Sequence, residues 1–188
     1  MDHKKENNSS VVLEVDNIPL SKQGDNYSCV AHCIWMVIQY FAQNLGHTVP
    51  DLPVDEITKT IKATPELATD LDDLERINEP LKKANPILTF YPEVDYPWER
   101  VLAELREKKP VIAWIKENLD PYVLAHSVVI RKFDPQKGEV IYIDPQEGEQ
   151  TMYIGRFLEL WANAYNILIP IKVGEVLQTR LDLVLKKE

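Results

Sequence analysis

CVAHCIWMVIQYFA, residues 29–42, decides the fold. Only His32 and Gln39 in this stretch are strongly polar. A helix built from it is apolar nearly all round, and such a helix belongs in an interior rather than on a surface. Ser28 stands at the N-cap position, and Gly46 lies where a helix stop is expected.

Upstream, residues 1–10 (MDHKKENNSS) are polar throughout and read as a disordered tail. Val11–Val15 is a short β-prone run, and Gly24-Asp25-Asn26 marks a polar loop. Downstream, Pro50 and Pro53 open a second helix over Val54–Lys62. A third is expected across Asp70–Ala84, with Leu71, Leu74, Ile77 and Leu81 on one stripe and Pro80 placed to kink or split it. Ile87–Tyr91 reads as a strand and Trp98–Lys108 as an amphipathic helix.

After Pro110 the character changes. Val111–Ile115, His126–Phe133 and Glu139–Ile143 read as strands, and the turn signal DPQKG at 134–138 joins the last two into a hairpin. Phe157–Ala164 reads as a short helix and Tyr165–Ile171 as a closing strand. Helices come first and mostly antiparallel sheet comes after, which is an α+β domain. That domain is expected over 11–171. Residues 172–188, with their spaced leucines, form a C-terminal extension.

The chain has 188 residues and can bury one sizeable core. Hydrophobic residues make up 45% and charged residues 27%, the balance of a globular protein. A net charge of −9, with no basic cluster longer than a Lys-Lys pair, argues against a nucleic-acid binder. No apolar run reaches the length of a membrane span, and the N-terminus lacks the apolar stretch of a signal peptide, so a cytoplasmic location is expected. The two cysteines, four positions apart in one helical segment, supply no disulfide framework.

Four residues carry the chemistry. Cys29 opens the apolar helix, where the helix N-terminus favours the thiolate that a nucleophile needs. His126 begins a strand 97 residues later, beside a loop, where a base is held rigidly yet faces a cleft. Asp144 closes the next strand. A hairpin with an odd loop centred near 135 or 136 puts it opposite or diagonal to His126 on the same face, where it can accept the imidazole N–H. Gln23, six positions before Cys29, offers a carboxamide donor that, with the Cys29 N–H, can bind an oxyanion.

Taken singly, each has a plain alternative: a small core residue, a strand histidine, an Asp-Pro turn, an exposed glutamine. Cys33, one turn further in, reads as core packing, and His32 as the holder of a local hydrogen bond. Cys29, His32 and Cys33 could also be metal ligands, but structural zinc sites take four and no second Cys/His pair lies nearby. No metal and no cofactor is expected.

With these residues in view, the chain resembles the papain-like cysteine peptidases of family thirty-nine. The resemblance is to the bacteriocin-processing, double-glycine-leader branch and its stand-alone relatives. QGDNYSC (23–29), the apolar helix behind it, KPVIAWI (109–115), HSVVIRKFDPQKGEVIYIDPQEGE (126–149) and RFLELW (156–161) carry it, in order. It implies a papain-like fold, with the cysteine helix on an antiparallel sheet and a peptide or protein as substrate. It also implies Cys29 as nucleophile, His126 as base and acid, Asp144 as orienter and Gln23 as oxyanion donor. Many members carry glycine after the nucleophile where this chain has Val30, which narrows the cleft. Leader-processing members are usually fused to membrane transporters, and no such segment occurs here.

Three functions are compatible with these residues. The first is a thiol peptidase working through an acyl-enzyme. The second is an acyltransferase with the same triad and an amine or thiol acceptor in place of water. The third is a non-catalytic papain-like module that binds a peptide or partner protein.

Overall fold

The computed structural model describes residues 11–120 and 122–174. The expected tail at 1–10 and the chain beyond 174 lie outside them. The elements run β1 (Leu13–Glu14), α1 (Cys29–Leu45), α2 (Val54–Thr60), α3 (Leu71–Leu74), α4 (Asn78–Leu81), β2 (Leu88–Phe90), α5 (Trp98–Arg106) and β3 (Val111–Ile115). They continue with β4 (His126–Asp134), β5 (Glu139–Asp144), β6 (Gly148–Tyr153), α6 (Ile154–Asn163), β7 (Leu168–Ile169) and β8 (Ile171–Val173).

The apolar segment is a helix, as its composition demands. α1 buries Cys29 to Ile34, Met36 to Ile38, Tyr40 and Phe41, and packs on β4. It stops at Gly46, whose φ of 66° lies in the left-handed region that glycine enters without steric cost, and whose N–H bonds Phe41 O.

The helix expected at 70–84 is broken. Residues 71–81 form α3, a 3-10 turn over Glu75–Ile77, and α4. Pro80 sits in the first turn of α4, where its missing N–H costs least. Leu74, Ile77 and Leu81 still face inward, because the apolar stripe outlasts the change in hydrogen bonding.

The main sheet has the order β6-β5-β4-β3-β7, with β1 paired to the far end of β4. All its pairings are antiparallel. α5 and α6 cover it through an aromatic cluster in which Trp98 meets Phe133 at 5.6 Å and Trp161 at 5.9 Å between ring centres. Two details depart from the sequence reading. The strand expected over 165–171 is two strands in two sheets, β7 beside β3 and β8 beside β2, parted at Pro170, which has no N–H for a ladder. β6 has no counterpart among the expected elements: GEQTMY is a polar edge strand and lacks a strong apolar alternation.

One irregularity sets the phase between β4 and β5. At the turn, Asp134 pairs with Glu139, so the loop holds residues 135–138, an even number. Continued evenly, that register would set Asp144 across from Val129 and turn it away from His126. A bulge between Ile130 and Lys132 shifts the pairing by one, and Val129 meets Ile143 instead. Asp144 then falls across from Val128, diagonal to His126 and on its face. The bulge residue Arg131 is pinned from both sides, by Glu14 at 3.0 Å and Glu149 at 2.7 Å.

Candidate active site

Three elements meet at the start of α1. Cys29 is its first residue and is 4% exposed. The helix ladder begins with His32 N–H to Ser28 O, so the N–H groups of Cys29, Val30 and Ala31 precede it and lend the helix end its positive field. Ser28 stands at the N-cap but does not cap with its side chain. Its hydroxyl turns back to the Asp25 carboxylate, at 2.8 Å from each oxygen.

His126 opens β4 half-buried. Its Nε2 lies 2.9 Å from Asp144 Oδ1, which leaves Nδ1 as the ring nitrogen for the thiol. Asp144 Oδ1 also accepts the N–H groups of Gln146 (2.7 Å) and Glu147 (3.3 Å), an Asx turn that fixes the carboxylate. So the Asp-Pro turn and the histidine partner, alternatives in the sequence, are one structure.

The electrostatics are those of a coupled pair. Burial pushes the Cys29 thiol up. A hydrogen bond and the charge of His126, with the backbone of Ser127, outweigh it and bring the thiol below its ordinary value. Burial pulls His126 down, but the bonds to Asp144 and Cys29 raise it to about 9. Asp144 feels burial upward and, more strongly, His126 and the two N–H groups downward, so it stays ionised.

Cys33 behaves oppositely. It is fully buried, donates to Ser127 O at 3.3 Å, and burial with the charges of Cys29 and Asp144 drives its pKa well up. Iodoacetamide near pH 6 should therefore alkylate Cys29 and leave Cys33 untouched, as peptide mass mapping would show; equal, slow labelling of both would contradict this geometry. His32 accepts or donates across 2.7 Å to Ser21 Oγ, a loop partner, and burial lowers its pKa. Cys29, His32 and Cys33 thus each have a different partner. Among the described residues no group of three or more His, Cys, Asp or Glu is placed to hold a metal.

Gln23 is brought to this centre by its backbone, whose N–H bonds Pro145 O at 2.8 Å, tying the loop before α1 to the turn after Asp144. Its Nε2 donates to Asp25 Oδ1 at 3.2 Å, and its Oε1 is buried without a partner. Neither amide atom bonds Cys29; the second Nε2 hydrogen is uncommitted. Sequence reasoning treats Asp25 as a loop residue and misses its role. Its carboxylate gathers Gln23, the N–H groups of Tyr27 and Ser28, and the Ser28 hydroxyl. An Asp three positions before an N-cap is the signal that could have found it.

A small pocket opens beside Cys29, walled by Val30, Ala68, Leu124 and Ala125, with Thr69 and Trp114 on its lining. Val30 therefore does occupy cleft space. A second pocket of about 250 Å³ lies on the His126 and Asp144 side, bounded by Tyr142, Met152 and Leu160.

The sequence matches the Peptidase_C39 like family over residues 15–169. No curated protein matches it at a significant level. Among solved structures, a protein described as a C39-like peptidase from Bacillus anthracis superposes with a TM-score of 0.67 at 11% identity. That match covers 88% of this chain and 100% of the other. A double glycine motif protease from an AMS/PCAT transporter, in complex with the leader peptide, gives 0.59 at 15% identity, over 86% of this chain and 94% of that one. The peptidase domain of Streptococcus ComA, a bi-functional ABC transporter involved in quorum sensing, gives 0.55 at 16% identity, over 85% and 100%. At such identities these likenesses speak for the fold, a papain-like α+β arrangement of helices and antiparallel sheet. The family match spans most of the chain, which therefore belongs to the C39-like peptidases, a family of cysteine peptidases.

Proposed function

We propose that this protein hydrolyses peptide bonds through an acyl-enzyme on Cys29, with His126, Asp144 and Gln23 as its working partners. The observation that carries the reading is the chain of contacts from Asp144 Oδ1 through His126 Nε2 to a thiol whose pKa His126 depresses. Cys29 S⁻ adds to the scissile carbonyl carbon, forming a C–S bond and moving the carbonyl electron pair onto oxygen. The Cys29 N–H and the uncommitted hydrogen of Gln23 Nε2 receive that oxyanion. The C–N bond then breaks as imidazolium gives its Nδ1 proton to the departing amine. Water attacks the thioester, gives its proton to His126, and releases the acid and the thiolate.

A peptide suits the surroundings. Leu67 and Leu124 line the pocket beside Cys29 and stand exposed, Leu67 at 76%, an apolar rim for an extended chain. One superposable neighbour holds a leader peptide. Among the described residues no helix is long and apolar enough to cross a membrane, and we place the activity in the cytoplasm, where the thiol stays reduced.

Internally quenched peptide libraries test the reading, with acid-quenched intact mass as a second readout. Wild type should give new N-termini and a thioester adduct on Cys29, and Cys29→Ala should give neither. A wild-type protein that alkylates readily yet neither cleaves any peptide nor forms a thioester would sink the peptidase reading.

A further inference from the structure

Two pockets flank the reacting centre. The smaller touches Cys29 but neither His126 nor Asp144; the larger touches both of these but not Cys29, and Leu124 lines each. Strand register puts the walls of the larger one on a single face of the sheet. Ile115 pairs with His126, Tyr142 stands two positions before Asp144, and Met152 pairs with Val140, two positions before Tyr142. Paired residues share a face and alternate ones return to it, so these side chains project the same way as the catalytic pair. They point toward α6, where Tyr142 meets Phe157 at 5.8 Å between ring centres and Leu160 closes the wall. Val123 and Leu124, both exposed, supply the rim.

The mechanism gives this division a direction. His126 hands its proton to the departing amine, so the residue attached to that nitrogen lies on the His126 side. Resting on the peptidase reading, we infer that the larger pocket is the subsite for the first side chain of the departing amine, and that it takes a large uncharged one: leucine, methionine or phenylalanine. Size sets one limit. The pocket measures about 250 Å³, above the roughly 150 Å³ that admits a benzene ring, so glycine and alanine leave most of it empty. Charge sets the other. A carboxylate there would face ionised Asp144. A cation would exchange its water for Ile115, Met152 and Leu160, beside the like charge of Lys116. Glu117, the remaining charge on the lining, is already paired with Arg156.

The acyl-enzyme supplies the test, because an added amine enters by the path a departing amine leaves. p-Nitrophenyl acetate acetylates Cys29 with loss of p-nitrophenolate and needs no knowledge of the natural substrate. An amino acid amide then attacks the thioester: a C–N bond forms, the C–S bond breaks, and the amine proton passes to His126. The ratio of N-acetyl amino acid amide to acetate is read by mass spectrometry, with Cys29→Ala subtracted. At equal concentration, leucine, methionine and phenylalanine amides should capture the acetyl group about tenfold more than glycine, alanine, aspartic acid or lysine amides. Met152→Glu should bring those three down to the level of glycine amide and lift lysine amide above it. Val123→Glu, on the exposed rim, should act in the same direction more weakly and decides the matter if Met152→Glu does not fold. A wild-type ranking that is flat or led by glycine amide would overturn the subsite and leave the peptidase standing. So would folded variants that keep the wild-type ranking. If Cys29 takes up no acetyl group and no peptide is cut, the peptidase reading fails and the subsite with it.

Discussion

His126→Ala should lower kcat/KM for any cleaved peptide by about 10⁴-fold or more, the largest loss from any change that leaves the thiol in place. Two losses combine in it. The departing amine no longer receives a proton from a positioned imidazolium, so the tetrahedral intermediate reverts instead of collapsing forward. The thiol also loses the group that depresses its pKa, while the burial that pushes it up remains. The variant's thiol should therefore titrate above the wild-type one, seen as a shift of thiolate ultraviolet absorbance and of the alkylation-rate profile toward alkaline pH. An effect on both readouts separates loss of the base from general damage, which would move turnover alone. Activity within tenfold of wild type at neutral pH would show that His126 is not the base.

Much of this site is readable in the sequence because its residues lie on elements with strong local signals. α1 is visible from its unbroken apolar run, and Cys29 falls at its first residue, so the thiol and the helix field come together without tertiary information. β4 and β5 announce themselves by β-branched residues around a Pro-Gly turn, which fixes His126 and Asp144 at strand ends. The phase between them is reached in the sequence by the wrong route. The odd loop expected there is an even one, which by itself would place the carboxylate on the wrong face. Arg131, whose bulge restores the face, looks like any alternating polar residue. Its bulge is held by Glu14 and Glu149, partners far off in sequence, so the device that aligns the pair is tertiary.

The same distinction explains the other departures. β6 is paired along its whole length to β5, from Glu139↔Tyr153 to Asp144↔Gly148, and needs no apolar face because it lies at the sheet edge. Pro80 and Pro170 are each visible, yet only the fold decides whether a proline sits in the first turn of a new helical segment, as at α4, or sends the chain into another sheet, as after β7.

Asp144 should discriminate sharply between two substitutions. Asp144→Ala removes the acceptor for His126 Nε2, frees the ring to rotate or take the other tautomer, and should cost about 10³-fold in kcat/KM. Asp144→Asn should cost far less. All three hydrogen bonds to this side chain, from His126 Nε2 and from the Gln146 and Glu147 N–H groups, end on Oδ1, and an amide oxygen in that place accepts all of them. What the asparagine loses is charge, and charge sets the pH range. The reactive state has a thiolate and an imidazolium together. It exists above the depressed pKa of Cys29 and disappears as pH rises through the His126 value of about 9. Asp144 helps to raise that value, so in Asp144→Asn the alkaline limb of the kcat/KM profile should move toward lower pH. The acid limb, governed by the thiol, should move upward in turn, because a less protonated ring stabilises the thiolate less. The profile narrows from both sides while the rate at its maximum stays within about tenfold of wild type. Equal losses for alanine and asparagine, with unshifted limbs, would show that Asp144 serves the turn and not the imidazole.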